Sequence, residues 1–107
     1  MKKGLLIVLI VMVATAITAI AQVKPDWVTK SPGWVDGDIV FGVGKAPKMT
    51  NSSLQRSIAA NRARAGILKV VGLKVATLKG SEVVEIWQDD NGDLYALAKV
   101  VKAGITE

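Results

Sequence analysis

The segment Asp89-Asp90-Asn91-Gly92 constrains this chain more than any other, because it forms a tight turn between two stretches of alternating residues. Two turn geometries fit it. A two-residue Asn-Gly loop would pair Asp90 with Asp93, whereas a type I turn with Gly92 in a left-handed bulge would pair Asp89 with Asp93. A shift of one residue exchanges the two faces of a strand, so this choice decides which side chains are buried. We expect the bulged turn, because it separates apolar from polar side chains.

The bulged turn predicts a hairpin of residues 82–88 and 94–102. Its apolar side chains share one face, which we expect to receive a helix: Val84, Ile86, Leu94, Ala96, Ala98 and Val100. The other face carries Trp87 directly across from Tyr95, with Glu85 and Lys99 close enough for a diagonal ion pair. The aromatic pair has three interpretations. It stabilises the hairpin, it is a stacking platform for a flat ligand, or it is the centre of a protein interface.

A helix is predicted to begin near Asn51 or Ser52, either of which can cap its first turn, and to end at Gly72. Two sectors of its surface are mostly apolar, and Asn61 is the one polar residue among them. The first sector is Leu54, Ile58, Asn61, Ala65 and Leu68, and the second is Ala59, Ala60, Ala63, Ile67 and Val70. A helix that is apolar on two sides is normally covered on two sides. We therefore expect the sheet on one sector, and we predict that Ile67 and Val70 in the second sector contact a partner.

Before the helix, residues 38–43 predict a short strand with alternating apolar residues. Residues 22–37 contain two prolines and two glycines, so we expect an extended, irregular lead-in whose tryptophans pack on the core. Residues 73–80 fit either a strand or an irregular link. The order strand, helix, strand, strand indicates an α+β domain over residues 38–107, with one long helix packed on a small, mainly antiparallel sheet of three or four strands.

The chain begins with Lys2 and Lys3, followed by an uncharged apolar run that ends in Ala19-Ile20-Ala21. This pattern is typical of a secretory signal peptide over residues 1–21, with Gln22 as the first mature residue. Cleavage predicts a periplasmic or secreted product with no stable membrane anchor, and the alternative is anchoring through an uncleaved leader. Loss of the two lysines lowers the net charge from +5 to +3, which is too small to predict a nucleic-acid partner.

The sequence contains neither cysteine nor histidine. This excludes disulfides, thiolate zinc sites and thiol nucleophiles, and it removes the commonest general base. We therefore expect no enzyme, no catalytic residue, no metal site and no cofactor.

Two partial motifs are incomplete. Gly42-Val43-Gly44 follows a strand as a dinucleotide fingerprint would, but Pro47 replaces the third glycine, and we expect these glycines to let another backbone approach closely. The turn 89–93 places oxygen side chains like the first ligands of a calcium loop, but the required glycine and glutamate positions hold Leu94 and Val100.

Several short motifs, spread over nearly all of the chain after the predicted signal peptide, resemble those of one family. They are Pro25-Asp26-Trp27-Val28, Phe41-Gly42-Val43-Gly44-Lys45-Ala46, Ala60-Asn61-Arg62-Ala63-Arg64-Ala65, Leu78-Lys79-Gly80-Ser81 and Leu94-Tyr95-Ala96-Leu97-Ala98. On these residues the chain resembles the LPP-twenty lipoprotein family of bacterial envelope proteins. The resemblance implies an exported bacterial protein with a helix on an antiparallel sheet. Family members typically carry a lipidated cysteine where this chain has Gln22. The element order is also similar to that of dodecin-like domains, which assemble as oligomers.

Together these patterns predict an exported, non-enzymatic envelope protein that binds another envelope protein or itself. The expected contact surfaces are the Trp87 and Tyr95 face of the sheet and the helix sector of Ile67 and Val70. The reason is an excess of apolar surface over what one helix and a small sheet can bury. The alternative function is a small-ligand carrier that uses Trp87 and Tyr95 as an aromatic platform.

Overall fold

The structure is a computed structural model that describes residues 23–107, so the predicted signal peptide lies outside the described residues. The described chain is α+β, as predicted: one helix packs on a four-stranded antiparallel sheet of order β1-β2-β5-β4. A separate two-stranded sheet pairs β3 with β6. The elements are β1 (Gly33–Asp36), β2 (Ile39–Ala46), α1 (Ser52–Val71), β3 (Thr77–Leu78), β4 (Glu82–Gln88), β5 (Leu94–Val101) and β6 (Ile105–Thr106).

Both predicted ends of α1 are confirmed. The Asn51 side chain accepts a hydrogen bond from the Leu54 N–H at 3.0 Å, which satisfies a donor in the first turn. Gly72 has the left-handed backbone (φ 77°), and the Leu73 N–H returns to the Leu68 carbonyl at 2.9 Å. This arrangement satisfies the last carbonyls of the helix and needs a residue without a side chain at position 72.

The helix approaches the sheet closely because β2 carries two glycines beneath it. A Cβ added to Gly42 would overlap the Ala63 carbonyl oxygen, and one added to Gly44 would overlap that of Ala59. The expectation that these glycines admit another backbone is confirmed. Ala59 and Ala63 are completely buried in this contact.

This close packing corrects the prediction for Ile67 and Val70. Ile67 is completely buried against the sheet, and Val70 is partly buried against the same core. The second sector therefore faces the sheet, since its alanines allow the backbones to approach. Most of the first sector is turned away from the sheet, and Leu54 is 46% exposed, but Ile58 of this sector packs against the core.

The lead-in is not irregular. Residues Asp26–Thr29 form one turn of 3₁₀ helix, and β1 pairs antiparallel with β2, with Trp34 opposite Phe41. The turn between them is Gly37-Asp38, with Gly37 at φ 58°. A glycine at the first position of a two-residue loop is a hairpin signal, and it places this strand before the predicted boundary at residue 38.

The bulged turn of the C-terminal hairpin is confirmed. The Asp89 N–H donates to the Asp93 carbonyl at 2.9 Å, and Gly92 is left-handed at φ 89°. A second irregularity was not predicted: β4 bulges between Val83 and Glu85, so that Val83 and not Val84 faces the helix. A bulge inserts one extra residue and exchanges the faces beyond it.

The bulge also changes the ion pair. Lys99 Nζ contacts Glu82 at 3.5 Å, so the predicted pairing with Glu85 is wrong. The ambiguous segment 73–80 contains the two-residue strand β3, which pairs with β6 near the end of the chain.

Candidate functional site

The sheet has two different faces, and every aromatic residue of the chain lies on the face opposite α1. They are Trp27, Trp34, Phe41, Trp87 and Tyr95. Trp87 lies across from Tyr95 as predicted, with ring centroids 5.7 Å apart. Trp34 stacks on Phe41 at 4.6 Å. These side chains form the second core of the protein together with Val28, Val43 and Leu97.

The 3₁₀ turn at Asp26–Thr29 covers much of this aromatic face. Trp27 and Val28 are only 7% and 6% exposed there. The Trp27 indole N–H donates a hydrogen bond to the Glu85 carboxylate, which fastens the turn to β4. Trp87 and Tyr95 are brought together as predicted and remain partly exposed. The 3₁₀ turn of the chain thus occupies space on the aromatic face that a flat ligand would need in order to stack there.

The less covered surface lies at the edge of the sheet, along β4. Within residues 23–107, β4 pairs with β5 on one side and with no strand on the other. The Asp89 N–H points to β5, where it bonds to Asp93. Backbone groups of an antiparallel strand alternate in direction, so those of Trp87 also point to β5. Those of Ile86 and Gln88 point to the free edge.

A groove of about 370 Å³ runs beside this edge, between β4 and the first turns of α1. It forms because the helix packs over the central strands β2 and β5 and does not reach across β4. Ile86 forms part of its wall and is 48% exposed, although it lies on the helix side of the sheet as predicted. Arg56 of the helix also lines the groove.

The floor of the groove is held by one buried polar side chain. Gln55 is 3% exposed, and its Nε2 donates to the carbonyls of Pro47 and Gly92 at 3.0 and 2.8 Å. These bonds connect the first turn of α1 to the hairpin turn and to the segment after β2. Both bonds satisfy the buried amide of Gln55, so this end of the groove is held together by hydrogen bonds.

The charge along β4 has one sign. The strand contains Glu82 and Glu85 and no basic residue, and the turn that follows adds Asp89 and Asp90. Both glutamates lie on the aromatic face of the sheet, because they align with Lys99 and Leu97 of β5. Ile86 and Gln88 lie on the helix face. The edge strand therefore presents an apolar and an amide side chain on the helix face and two carboxylates on the aromatic face.

Sequence patterning did not single out this edge. Ile86 was predicted to be covered by the helix, since the alternation that places it on the apolar face does not reveal how far a helix extends across a sheet. Ile86 lies in the first strand of a terminal hairpin. Such a strand is at the edge of the sheet only in some strand orders, and the sequence pattern does not give the strand order.

Two further observations concern chemistry and membranes. Among residues 23–107, no three acidic side chains come together in a way that could hold a metal ion. Within the same range, no helix combines the length and the apolar character required to cross a bilayer.

Compared with known proteins, the chain matches no protein-family model, no curated protein and no solved structure.

Proposed function

We propose that this chain is an exported bacterial envelope protein whose folded part is a non-enzymatic binding module. It holds an extended segment of a partner protein along the free edge of β4. The observation that carries this proposal is the edge itself, where Ile86 is half exposed and directs its backbone groups outward beside the groove. Strand addition of this kind uses main-chain hydrogen bonds for affinity and side-chain pockets for specificity.

The chemistry of the edge defines the partner segment. A strand added to β4 alternates between the two faces of the sheet. Its residue next to the exposed Ile86 on the helix side is favoured to be apolar, although Arg56 and Gln88 also line the groove there. Its residues on the other side lie beside Glu82, whose charge Lys99 partly offsets, and beside Glu85, which accepts from the neutral Trp27 indole and keeps its charge. The remaining negative charge favours lysine or arginine. The expected partner is therefore an extended segment in which apolar and basic residues alternate.

Charge disfavours a second copy of this chain at the same edge. Two β4 strands paired antiparallel about Ile86 would bring together two strands that each carry Glu82 and Glu85 and no basic residue. Like charges brought close together on neighbouring strands destabilise a sheet. A basic partner strand removes this repulsion.

The proposal of export is supported by the sequence of residues 1–21 and by the resemblance to the LPP-twenty family. The proposal that the module is not an enzyme is supported by the lack of histidine and cysteine. Mass measurement of the protein from the cell envelope tests the first point. An N-terminus at Gln22 is expected, and a mass that includes residues 1–21 contradicts cleavage.

Site-specific photocrosslinking in cells tests the binding edge. A photoreactive amino acid at position 86 of the full chain is expected to crosslink to one partner segment with the alternating pattern. A matched control at Val75, which is 83% exposed and lies between α1 and β3, is expected not to reach that segment. A synthetic peptide of the segment should then protect the Ile86 and Gln88 amides from hydrogen exchange.

Two results would contradict the proposal. Crosslinks from position 86 that join two copies of this chain would replace a partner protein with self-association. Equal crosslinking from positions 86 and 75 would show general surface contact and no specific edge.

A further inference from the structure

We infer that Ser31, Lys45, Arg62 and Lys69 form a binding site for a phosphate group, which lies toward the β1 edge of the sheet, away from β4. They surround a cavity of about 330 Å³ between the loop before β1, the end of β2 and the second half of α1. This site is independent of the β4 edge and of the function proposed for it.

A backbone donor points into the cavity from the end of β2. The Val43 N–H donates to the Pro32 carbonyl at 2.9 Å, so Val43 directs its backbone toward the β1 side. Residues two apart in a strand direct their backbone groups the same way. The Lys45 N–H therefore also faces this side, where the described pairing of β1 with β2 has already ended at Gly33.

The guanidinium of Arg62 is held at the same place. Its Nη1 donates to the Lys45 carbonyl at 2.8 Å. This bond agrees with the direction of the Lys45 backbone and uses one of the five N–H donors of arginine. The other donors are carried by a group that this one hydrogen bond holds beside the cavity before any ligand arrives, which reduces the entropy lost on binding.

Lys69 lies two helical turns after Arg62 and therefore on the same side of α1. Between them, Gly66 leaves room for the loop, because a Cβ at this position would overlap the Pro32 carbonyl oxygen. The loop brings Ser31 to the cavity wall. The result is two positive side chains, a serine and a backbone N–H around one space.

The charge of the cavity is positive. Its described lining contains no carboxylate. Asp93 contacts Lys45 Nζ at 3.4 Å and offsets that ammonium, so the excess charge comes from Arg62 and Lys69. The guanidinium fork matches two oxygens of a phosphate, and backbone N–H groups and hydroxyls complete such sites. A phosphate group fits this donor set, whether it belongs to a soluble phosphate or to a lipid headgroup.

The test is titration of the protein purified from the cell envelope with inorganic phosphate at constant ionic strength, followed by amide NMR and calorimetry. We expect saturable shifts at the Ser31 and Lys45 amides. Arg62→Gln should weaken binding about tenfold or more, the loss typical of one charged hydrogen bond. Arg62→Lys should restore part of the affinity through its charge. Lys74→Gln is the matched control, because it removes one exposed cation outside the cavity.

A vesicle assay separates the two sources of phosphate. If vesicles that contain phosphatidylglycerol bind the protein, phosphatidylcholine vesicles do not, and Arg62→Gln abolishes binding, the site takes a lipid headgroup. If inorganic phosphate binds and vesicles do not, the site takes a soluble phosphate. The inference is overturned if phosphate gives no saturable shift at Lys45, or if Lys74→Gln and Arg62→Gln weaken binding equally.

Discussion

The indole N–H of Trp27 donates a hydrogen bond to the Glu85 carboxylate, although the two residues are 58 positions apart in the chain. This bond joins the 3₁₀ turn before β1 to the edge strand β4. It runs across the aromatic face, so the segment that precedes the first strand is part of the folded core. The turn also explains why the aromatic face is mostly closed, while the β4 edge is open.

Removal of the Trp27 ring should destabilise the protein strongly. Trp27→Ala deletes a 7% exposed indole and should lower the free energy of unfolding by about 3–5 kcal/mol in a urea titration. Glu85→Gln keeps an acceptor for the indole and should cost about 1 kcal/mol. Val23→Ala, at a 68% exposed position, is the control for a change near the same terminus. A Trp27→Ala variant as stable as the Val23→Ala variant would show that the turn does not pack on the sheet in solution.

Substitution of Gly44 should be much more costly than its size suggests. The added methyl group of Gly44→Ala would overlap the backbone of α1 at Ala59 and Ala63, so the helix must move away from β2. We expect a loss of about 3 kcal/mol or more, at the upper end for overpacked cores. Gly80→Ala is the matched control, because it meets no atom within 4 Å and carries only the backbone strain of φ 79°. That strain costs about 1–2 kcal/mol. Equal unfolding free energies for the two variants would contradict the close approach of helix and strand.

Proline at position 86 should separate binding from stability. The Ile86 N–H faces the free edge, so Ile86→Pro removes no hydrogen bond to β5, and proline is tolerated on such edges. Ile86→Ala is the matched control for loss of the side chain. Both variants should retain the fold, with unfolding free energies within about 1 kcal/mol of each other.

Only the proline variant removes a donor that an added strand needs. The partner peptide identified by crosslinking should bind the alanine variant with reduced affinity and should not bind the proline variant. Equal binding by the two variants would show that the main chain of β4 takes no part in recognition.

Local interactions made much of this fold predictable. The cap at Asn51, the left-handed Gly72 and the bulged turn at Gly92 depend on residues close in sequence, and all three were predicted. The bulge at Val84 and the partner of Lys99 were not, since both depend on how β4 is aligned with β5. The predicted orientation of α1 was wrong for Ile67, because Gly42 and Gly44 of β2 set the position of the helix. The aromatic pair of Trp87 and Tyr95 was predicted, but its cover by Trp27 and the open edge at Ile86 both require the tertiary structure.

The ion pair of Lys45 should make stability depend on pH at the alkaline end. The Asp93 carboxylate, by hydrogen bonding to the ammonium, raises the pKa of Lys45 above its ordinary value, and the charge of the nearby Tyr95 phenolate acts in the same direction. Since the pKa is higher in the folded than in the unfolded chain, the contribution of Lys45 is complete below the unfolded value of about 10.4 and is lost as the pH rises through the folded value. Unfolding free energies of Lys45→Met and of the parent chain should therefore differ by a constant amount from pH 8 to about 10 and converge above that.

Lys45 Nζ also lies 5.6 Å from the centre of the Tyr95 ring, so both proteins should be compared in a Tyr95→Phe background, where the Asp93 pair at 3.4 Å remains. The unfolding free energies of the two proteins should still converge in this background. The pKa of Lys45 should be raised less, because Tyr95, one of the two residues that raise it, has been removed. A difference between the proteins that stays constant to pH 12 would show that Lys45 and Asp93 do not interact in the folded protein. A difference that begins to change already near pH 9 would show that the pKa of Lys45 is lowered by the fold, which would contradict the pairing on the aromatic side of β2.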